Sequence, residues 1–240
     1  MNPKVSLVMP TYNRGDSYLK TAIQSVLDQS YSDFELVIID DASTDNTKDI
    51  VLSCNDKRIM YHQTDHNHGE YWSTNFAMSL SKGQYVTWIH SDDMMPKESL
   101  MLLVKELDAN HGIDFVHGDI EKVDETGTVI ESLISTDDNS PNVFNQYVTA
   151  LQEGKMVYLV HHTTIMMKRS FFYKAGPFDS SLPFGGDIDW MVRALRIGSF
   201  KRIPQVLYLY RKHALTRRVV DVKDGVDKVA VHKNIAARYI

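Results

Sequence analysis

Two apolar strands in this sequence each end in a group of acidic residues. Residues 34–39 are apolar but for one glutamate and run directly into the turn at residues 40–45, which holds three aspartates. A second apolar run, residues 85–89, ends in the sequence His-Ser-Asp-Asp at residues 90–93. In an open α/β sheet, ligands bind at the carboxyl ends of the strands, where the chain turns toward a helix. Two acidic strand ends in one half-chain therefore indicate a site for a nucleotide and a metal ion.

Strands and helices alternate through the first half of the chain. The predicted strands there are residues 5–9, 34–39, 85–89 and 114–117. Helical patterns lie between them, for example at residues 71–80 and 100–107, where apolar residues recur at the spacing of one helix face. This alternation predicts right-handed crossover connections and a mostly parallel central sheet flanked by helices.

Beyond Gly118 the pattern changes. Residues 120–123 and 128–130 flank a turn sequence and predict a β-hairpin. Residues 135–142 have the composition of a loop. Further on, residues 187–197 predict a helix, and a strand at residues 206–210 leads into a basic tail.

Composition limits the class of protein. The 240 residues are 43% hydrophobic and 24% charged, which is ordinary for a soluble globular chain. A single cysteine fits a reducing compartment, and no apolar run approaches the roughly 20 residues of a membrane span. The net charge of −5 argues against binding to nucleic-acid backbone. We therefore expect a cytoplasmic protein without a nucleic-acid partner.

Four sequence blocks, taken in order, resemble the family 2 glycosyltransferases, which are inverting enzymes with the GT-A nucleotide-sugar-binding fold. The blocks are residues 5–14, residues 40–45, residues 91–93 with Pro96, and residues 176–179 followed by 186–189 and Arg193. The resemblance implies a GT-A domain over residues 1–217, with a nucleotide-binding half at 1–117 and an acceptor and catalytic half at 118–217. Residues 218–240 are then a C-terminal tail. Because this tail ends soon after the expected active-site loop, we expect that it is truncated before a membrane-docking or oligomerising piece.

The first two blocks match the family's nucleoside contacts. The resemblance implies that Pro10, Thr11 and Tyr12, after the first strand, and Asp41, after the second, hold the base and ribose. The alternative is that the aspartate and serine residues of the second turn only cap the helix that follows, because both residue types are favoured as helix caps. Asp40 and Asp45 are expected to brace this turn.

The acidic end of the third strand resembles the family's metal-binding motif. It implies that Asp92 and Asp93 hold Mn²⁺ or Mg²⁺, with Asp92 also contacting the nucleotide. A divalent cation is needed there because one carboxylate and one phosphate about 4 Å apart repel by roughly 4 kcal/mol at an effective dielectric of 20. The motif's first acid is replaced by His90, or by Ser91 in a tighter alignment. The alternative is a solvated acidic turn that caps the next helix.

The fourth block implies the catalytic base. Asp187 matches the aspartate that takes the acceptor proton in the family, whereas the preceding acid of the family's pair is Gly186 here. Asp189 and Arg193 are four residues apart on the predicted helix, where they can form an ion pair. Trp190 is expected in the core.

The end of the strand at residues 206–210 resembles the family's histidine-bearing loop. The resemblance implies that His213 completes the metal site or contacts the diphosphate, and that Arg217 and Arg218 meet the diphosphate. His161 and His162 match no functional position and are expected to be structural or acceptor-side.

The resemblance implies sugar transfer from a nucleoside diphosphate-sugar, with UDP as the expected nucleotide, to a saccharide or lipid-linked saccharide. The family-level expectation is bacterial surface polysaccharide synthesis, with peripheral association at the inner face of the cell membrane. Two alternatives stay open: a non-catalytic relative that binds nucleotide-sugar or glycan, and a nucleotidyltransferase. A nucleotidyltransferase would carry a glycine- and lysine-rich loop after the first strand, and residues 11–15 do not form such a loop.

Overall fold

The structure is a computed structural model that describes residues 2–15, 17–136, 142–155, 159–214 and 227–239. One sheet contains the strands β1 (Val5–Thr11), β2 (Phe34–Asp40), β3 (Ile59–Gln63), β4 (Tyr85–Trp88), β5 (Phe115–Val123), β6 (Val129–Leu133), β7 (Met166–Lys168) and β8 (Phe200–Arg211). The helices are α1 (Ser17–Leu27), α2 (Thr47–Ser53), α3 (Glu70–Leu80), α4 (Ser99–Ala109), α5 (Asn142–Gln152), α6 (Arg169–Ala175), α7 (Gly186–Ile197) and α8 (Lys228–Ala237). A short 3₁₀ turn, His162–Thr164, precedes β7.

The order of strands places both acidic turns at one edge of the sheet. The order is β3-β2-β1-β4-β7-β5-β6, with β8 beside β5. Strand β1 is parallel to both β2 and β4, and Thr11 pairs with Asp40 while Val8 pairs with Trp88. The carboxyl ends of these three strands therefore lie side by side, as the sequence pattern predicts.

The second half of the sheet is mixed. Strand β7 is antiparallel to both β4 and β5, and β5 with β6 forms the predicted hairpin. Strand β8 is parallel to β5, and Leu209 forms an antiparallel bridge with Met94 just beyond the acidic turn of β4. This long strand carries the residues around 211–213 to the carboxyl edge of the sheet.

The central strands are buried on both faces, so alternate side chains enter two apolar layers. In β1, Val8 packs in one layer while Leu7 and Met9 pack in the other. Trp190 of α7 is fully buried and donates a 3.1 Å hydrogen bond to the carbonyl of Gly176, which confirms the prediction of a core tryptophan. Burial of each large side chain contributes about 1.5–3 kcal/mol.

Strand β3 and helices α6 and α8 were not predicted from the sequence. Helix α8 packs against α5 and α7, and its Ile235 is buried. Among the described helices, none has both the length and the apolar character that crossing a membrane requires.

Candidate active site

The end of β1 offers a buried hydroxyl and an exposed aromatic ring. Pro10 and Thr11 are buried, whereas Tyr12 is 49% exposed. The hydroxyl oxygen of Thr11 is buried and has no hydrogen-bond partner among the described residues. Buried polar atoms normally have a hydrogen-bond partner, and a bound ligand can supply one to this hydroxyl.

Asp41 anchors the loop that follows β3. Its Oδ1 accepts hydrogen bonds from the backbone N–H of His68 (2.9 Å) and the hydroxyl of Thr64 (3.2 Å), and its Oδ2 accepts one from the N–H of Gly69 (2.7 Å). Its own N–H donates to the carbonyl of Thr11. This carboxylate is buried, so it fixes the loop at the start of α3 against the end of β1.

The other two aspartates of this turn brace it, as expected. Asp40 accepts hydrogen bonds from the N–H of Ser43 and the hydroxyl of Tyr61. Asp45 accepts from Thr47 through one oxygen and from the N–H of Gly15 through the other. These bonds tie the loops after β1 and β2 together.

Asp92 and His213 are brought together from opposite ends of the sequence. Oδ2 of Asp92 lies 3.0 Å from Nε2 of His213 and accepts a 2.9 Å hydrogen bond from Nη2 of Arg14. Burial acts to raise the pKa of Asp92, but the contact with His213 and the charge of Arg14 outweigh burial and lower that pKa. The site therefore favours a charged carboxylate at Asp92.

Asp93 has a different environment from the one expected of a metal ligand. Its Oδ1 accepts a 2.7 Å hydrogen bond from the N–H of Arg211, and its Oδ2 accepts one of 2.8 Å from the hydroxyl of Tyr208. Nδ1 of His90 lies 3.2 Å from the same Oδ2. Both oxygens are engaged by protein groups and the residue is 1% exposed. This geometry favours a role in joining β8 to the turn after β4.

His90 occupies the place of the motif's first acid and contacts two carboxylates. Its Nδ1 faces Asp93, and its Nε2 lies 3.4 Å from Oε1 of Glu70. Burial opposes its charge, but these contacts outweigh burial and raise the pKa of His90 well above its usual value. This shift favours the protonated, positively charged form of the imidazole.

The donor set of Asp92 and His213 fits a divalent cation. Carboxylate oxygen suits Mn²⁺ and Mg²⁺, and an imidazole nitrogen is a common ligand for divalent transition metals, so the pair fits Mn²⁺ better. A separate group, Asp65, His66 and His68, also brings three ligand-type atoms within 4.8 Å of one another. In that group, the aspartate already pairs with both histidines at the surface.

Asp187, the expected base, is approached at both oxygens. Its Oδ1 accepts a 3.0 Å hydrogen bond from the hydroxyl of Tyr71, and its Oδ2 lies 3.0 Å from Nε2 of His162. The aspartate is in the first turn of α7, where the helix dipole favours a negative charge. Burial lowers the pKa of His162, so its imidazole is neutral near pH 7.

Two neighbouring residues of α3 connect the two acidic regions. Glu70 contacts His90 beside the Asp92 group, and Tyr71 contacts Asp187. A cavity of about 350 Å³ opens beside them, lined by residues 67–72 and 180–183. The start of α3 therefore borders both regions of the site.

Asp189 is structural, and its predicted ion pair with Arg193 is present at 3.0 Å. The carboxylate is buried and also accepts a 2.7 Å hydrogen bond from the hydroxyl of Tyr239. Arg193 in turn donates to the backbone carbonyls of residues 175–177. This network attaches α7 to the preceding turn and to the residues after α8.

Arg217 and Arg218 lie outside the described residues. Sequence reasoning did not identify Tyr71 or Glu70, and it gave His162 no specific role. The sequence signal that could have found the first two is their position at the start of the helix predicted at residues 71–80.

The comparisons with known proteins decide the family. The sequence profile of glycosyl transferase family 2 matches residues 6–175 of this chain. The chain belongs to glycosyl transferase family 2. An uncharacterized glycosyltransferase from Rickettsia felis is 29% identical over 216 residues, covering 88% of this chain. The chain spans 35% of the length of that relative.

Solved structures share the fold of this family 2 chain. Staphylococcus aureus TarS residues 1–349 in complex with UDP-GlcNAc match with a TM-score of 0.71 and 20% identity, over 98% of this chain and 71% of that one. The mannosyltransferase PcManGT from Pyrobaculum calidifontis, in complex with GDP-Man and Mn²⁺, gives 0.62 and 20%, over 91% and 59%. At these identities the likeness shows the fold alone, which is the GT-A fold.

Proposed function

We propose that this chain transfers a sugar from a nucleoside diphosphate-sugar to an acceptor hydroxyl with inversion at the anomeric carbon. One observation carries the proposal: the first turn of α3 contacts the carboxylate of Asp187 through Tyr71 and, through Glu70, contacts His90, two residues before the Asp92 that pairs with His213. In this proposal the pair of Asp92 and His213 serves the diphosphate, and Asp187 serves as the base.

The nucleoside is assigned to the ends of β1 and β2. Tyr12 is exposed and can cover a base, and the buried hydroxyl of Thr11 can gain a partner from the ligand. Pro10 forms part of the proposed nucleoside site, while Asp41 acts by holding the backbone N–H groups of His68 and Gly69 in place. UDP is the proposed nucleotide, and the complex of TarS with UDP-GlcNAc supports this choice.

Asp92 and His213 are the proposed metal ligands, with Mn²⁺ as the preferred ion and Mg²⁺ as the alternative. When bound, the ion neutralises negative charge that develops on the departing diphosphate. The complex of PcManGT with Mn²⁺ supports this cofactor. Asp93 supports the site indirectly, through Arg211 and Tyr208. Arg217 and Arg218 remain the proposed additional diphosphate contacts.

Asp187 is the proposed general base. It takes the proton of the acceptor hydroxyl as the acceptor oxygen forms a bond to the anomeric carbon. The bond from that carbon to the diphosphate oxygen breaks, and its electron pair leaves with the nucleoside diphosphate. Attack from the face opposite the leaving group inverts the configuration.

The proposed acceptor is a saccharide or lipid-linked saccharide, with residues 118–217 as the proposed acceptor and catalytic half and residues 1–117 as the proposed nucleotide-binding half. The cavity beside Glu70 and Tyr71 lies within the usual size range of small-molecule pockets, about 300–1,000 Å³. Bacterial surface polysaccharide synthesis at the inner face of the cell membrane is the proposed setting.

A donor panel tests this proposal. UDP-sugars and GDP-mannose are incubated with mono- and disaccharide acceptors in Mn²⁺, and released nucleoside diphosphate is measured. The proposal expects release with one donor class, and release that rises when the acceptor is added. Nucleotide-sugar binding without release across the panel would instead indicate a non-catalytic relative. The nucleotidyltransferase alternative loses its support through the family match.

A further inference from the structure

Tyr71 joins Asp187 to the backbone turn that precedes α7. Its hydroxyl donates a 3.0 Å hydrogen bond to Oδ1 of Asp187 and accepts one of 3.1 Å from the N–H of Gly185. Gly185 has a φ of 83°, a left-handed conformation that favours glycine. One hydroxyl thus fixes the carboxylate relative to the left-handed turn at which its helix begins.

The ring of Tyr71 is held as firmly as its hydroxyl. It stacks on Phe178 with ring centroids 6.0 Å apart. It also lies against Gly186, where an added Cβ atom would be 2.8 Å from Cδ2 of the ring. The absence of a side chain at Gly186 is therefore what allows the tyrosine to reach the carboxylate.

In the hydrogen bond between Tyr71 and Asp187, the tyrosine hydroxyl is the donor. Burial raises the pKa of Tyr71 well above its usual value, and the charge of Asp187 raises it further. The phenol is therefore protonated at neutral pH and donates to the carboxylate. This leaves the remaining lone pairs of that carboxylate for a proton from an acceptor.

We propose that Tyr71 is a positioning residue for the base, and that its hydroxyl holds Asp187 in a geometry for which the missing side chain at Gly186 leaves room. The inference rests on the proposed function of Asp187. It assigns no contact with the nucleotide to Tyr71, so its effect is confined to the acceptor side of the reaction.

Tyr71→Phe tests the inference because it removes the hydroxyl and keeps the ring. With the donor and acceptor pair found in the panel, kcat should fall about 10- to 100-fold while the donor KM changes by less than about twofold, since small misplacements of a reacting group carry losses of that size. The thermal shift produced by UDP with Mn²⁺ should equal that of the wild type.

Tyr239→Phe is the matched control. It removes a tyrosine hydroxyl that donates to Asp189, two residues away from the base on the same helix. It should leave kcat within about twofold of the wild type. An unchanged kcat for Tyr71→Phe, an equal loss of kcat in both variants, or a weaker UDP shift for Tyr71→Phe would each overturn the inference.

A double-mutant cycle separates this inference from the function on which it rests. In the Asp187→Asn background, Tyr71→Phe should cause little further loss, because residues that act as a unit are not additive. If Asp187→Asn is inactive and Tyr71→Phe is fully active, only the positioning role fails. If Asp187→Asn is itself fully active, the base assignment fails.

Discussion

The ring of Tyr71 lies 2.8 Å from the point that a Cβ atom on Gly186 would occupy. Gly186→Ala should therefore push the ring away from α7 and destabilise the fold by about 1–3 kcal/mol, the usual cost of overpacking. Turnover should fall as well, because the phenol leaves Asp187. Urea denaturation and steady-state kinetics measure the two effects.

Gly112→Ala is the control for that substitution. A Cβ atom there meets no heavy atom within 4 Å, so its stability should stay within about 0.5 kcal/mol of the wild type. Gly186→Glu, which restores the family's acid, should also fail to improve turnover. Normal stability and turnover in Gly186→Ala would contradict the close contact.

Metal dependence is expected at Asp92 and His213. UDP should raise the melting temperature much more with Mn²⁺ than with EDTA, because a ligand that binds the folded state stabilises it by mass action. Asp92→Ala should abolish the metal-dependent part. Asp45→Ala, which loosens a neighbouring turn, should keep that part. An equal UDP shift in EDTA and in Mn²⁺ would rule out the metal site.

Asp93 should matter mainly for stability. Asp93→Ala leaves the buried N–H of Arg211 and the hydroxyl of Tyr208 without this acceptor and should cost about 3 kcal/mol or more, as for other broken buried charge networks. Asp92→Ala, at a more open position, should cost less. Chemical denaturation of both variants without nucleotide makes the comparison, and the reverse order of losses would refute it.

His161 should make the fold sensitive to acid. Burial lowers its pKa from 6.5 to about 4, and the charge of His162 contributes. A histidine with a depressed pKa contributes stability that is present above pH 6.5 and is lost as the pH falls toward 4. The loss should reach roughly 3 kcal/mol at pH 4.

His161→Gln cannot titrate and should flatten that part of the pH dependence. Free energies of unfolding at pH 7.5, 5.5 and 4.5 for both proteins isolate the contribution of His161, because protonation of carboxylates elsewhere lowers the stability of both proteins equally. Parallel curves of stability against pH for wild type and variant would show that His161 does not cause the acid sensitivity.

Local patterns predicted the elements that form the site. The apolar runs of β1, β2 and β4 end in polar turns, and such ends meet wherever parallel strands are neighbours. Strand β3 was missed because its residues, Ile59–Gln63, mix polar and apolar side chains at a partly exposed sheet edge. Helix α8 was missed because the apolar residues of Lys228–Ala237 do not recur at the spacing of one helix face, so no periodic pattern marks the packing of Ile235.

Contacts between distant segments could not be read from the sequence. Asp92 and Asp93 are adjacent and chemically identical. Their environments differ because Arg14 and His213 reach Asp92, whereas Tyr208 and Arg211 of β8 reach Asp93. Tyr71 reaches Asp187 across 116 residues, so its role depends on tertiary packing and on the missing side chain at Gly186.

Asp187→Asn tests the central claim most directly, with Asp189→Asn as its control on the same helix. Asparagine preserves the size of the side chain but accepts no proton, so turnover of Asp187→Asn should fall by roughly 10²–10⁴-fold with unchanged donor affinity. Asp189→Asn should lose stability, since its carboxylate holds Arg193 and Tyr239, and should retain much more of its turnover. Near-normal turnover by a folded Asp187→Asn protein, with the donor and acceptor that the wild type uses, would contradict the account.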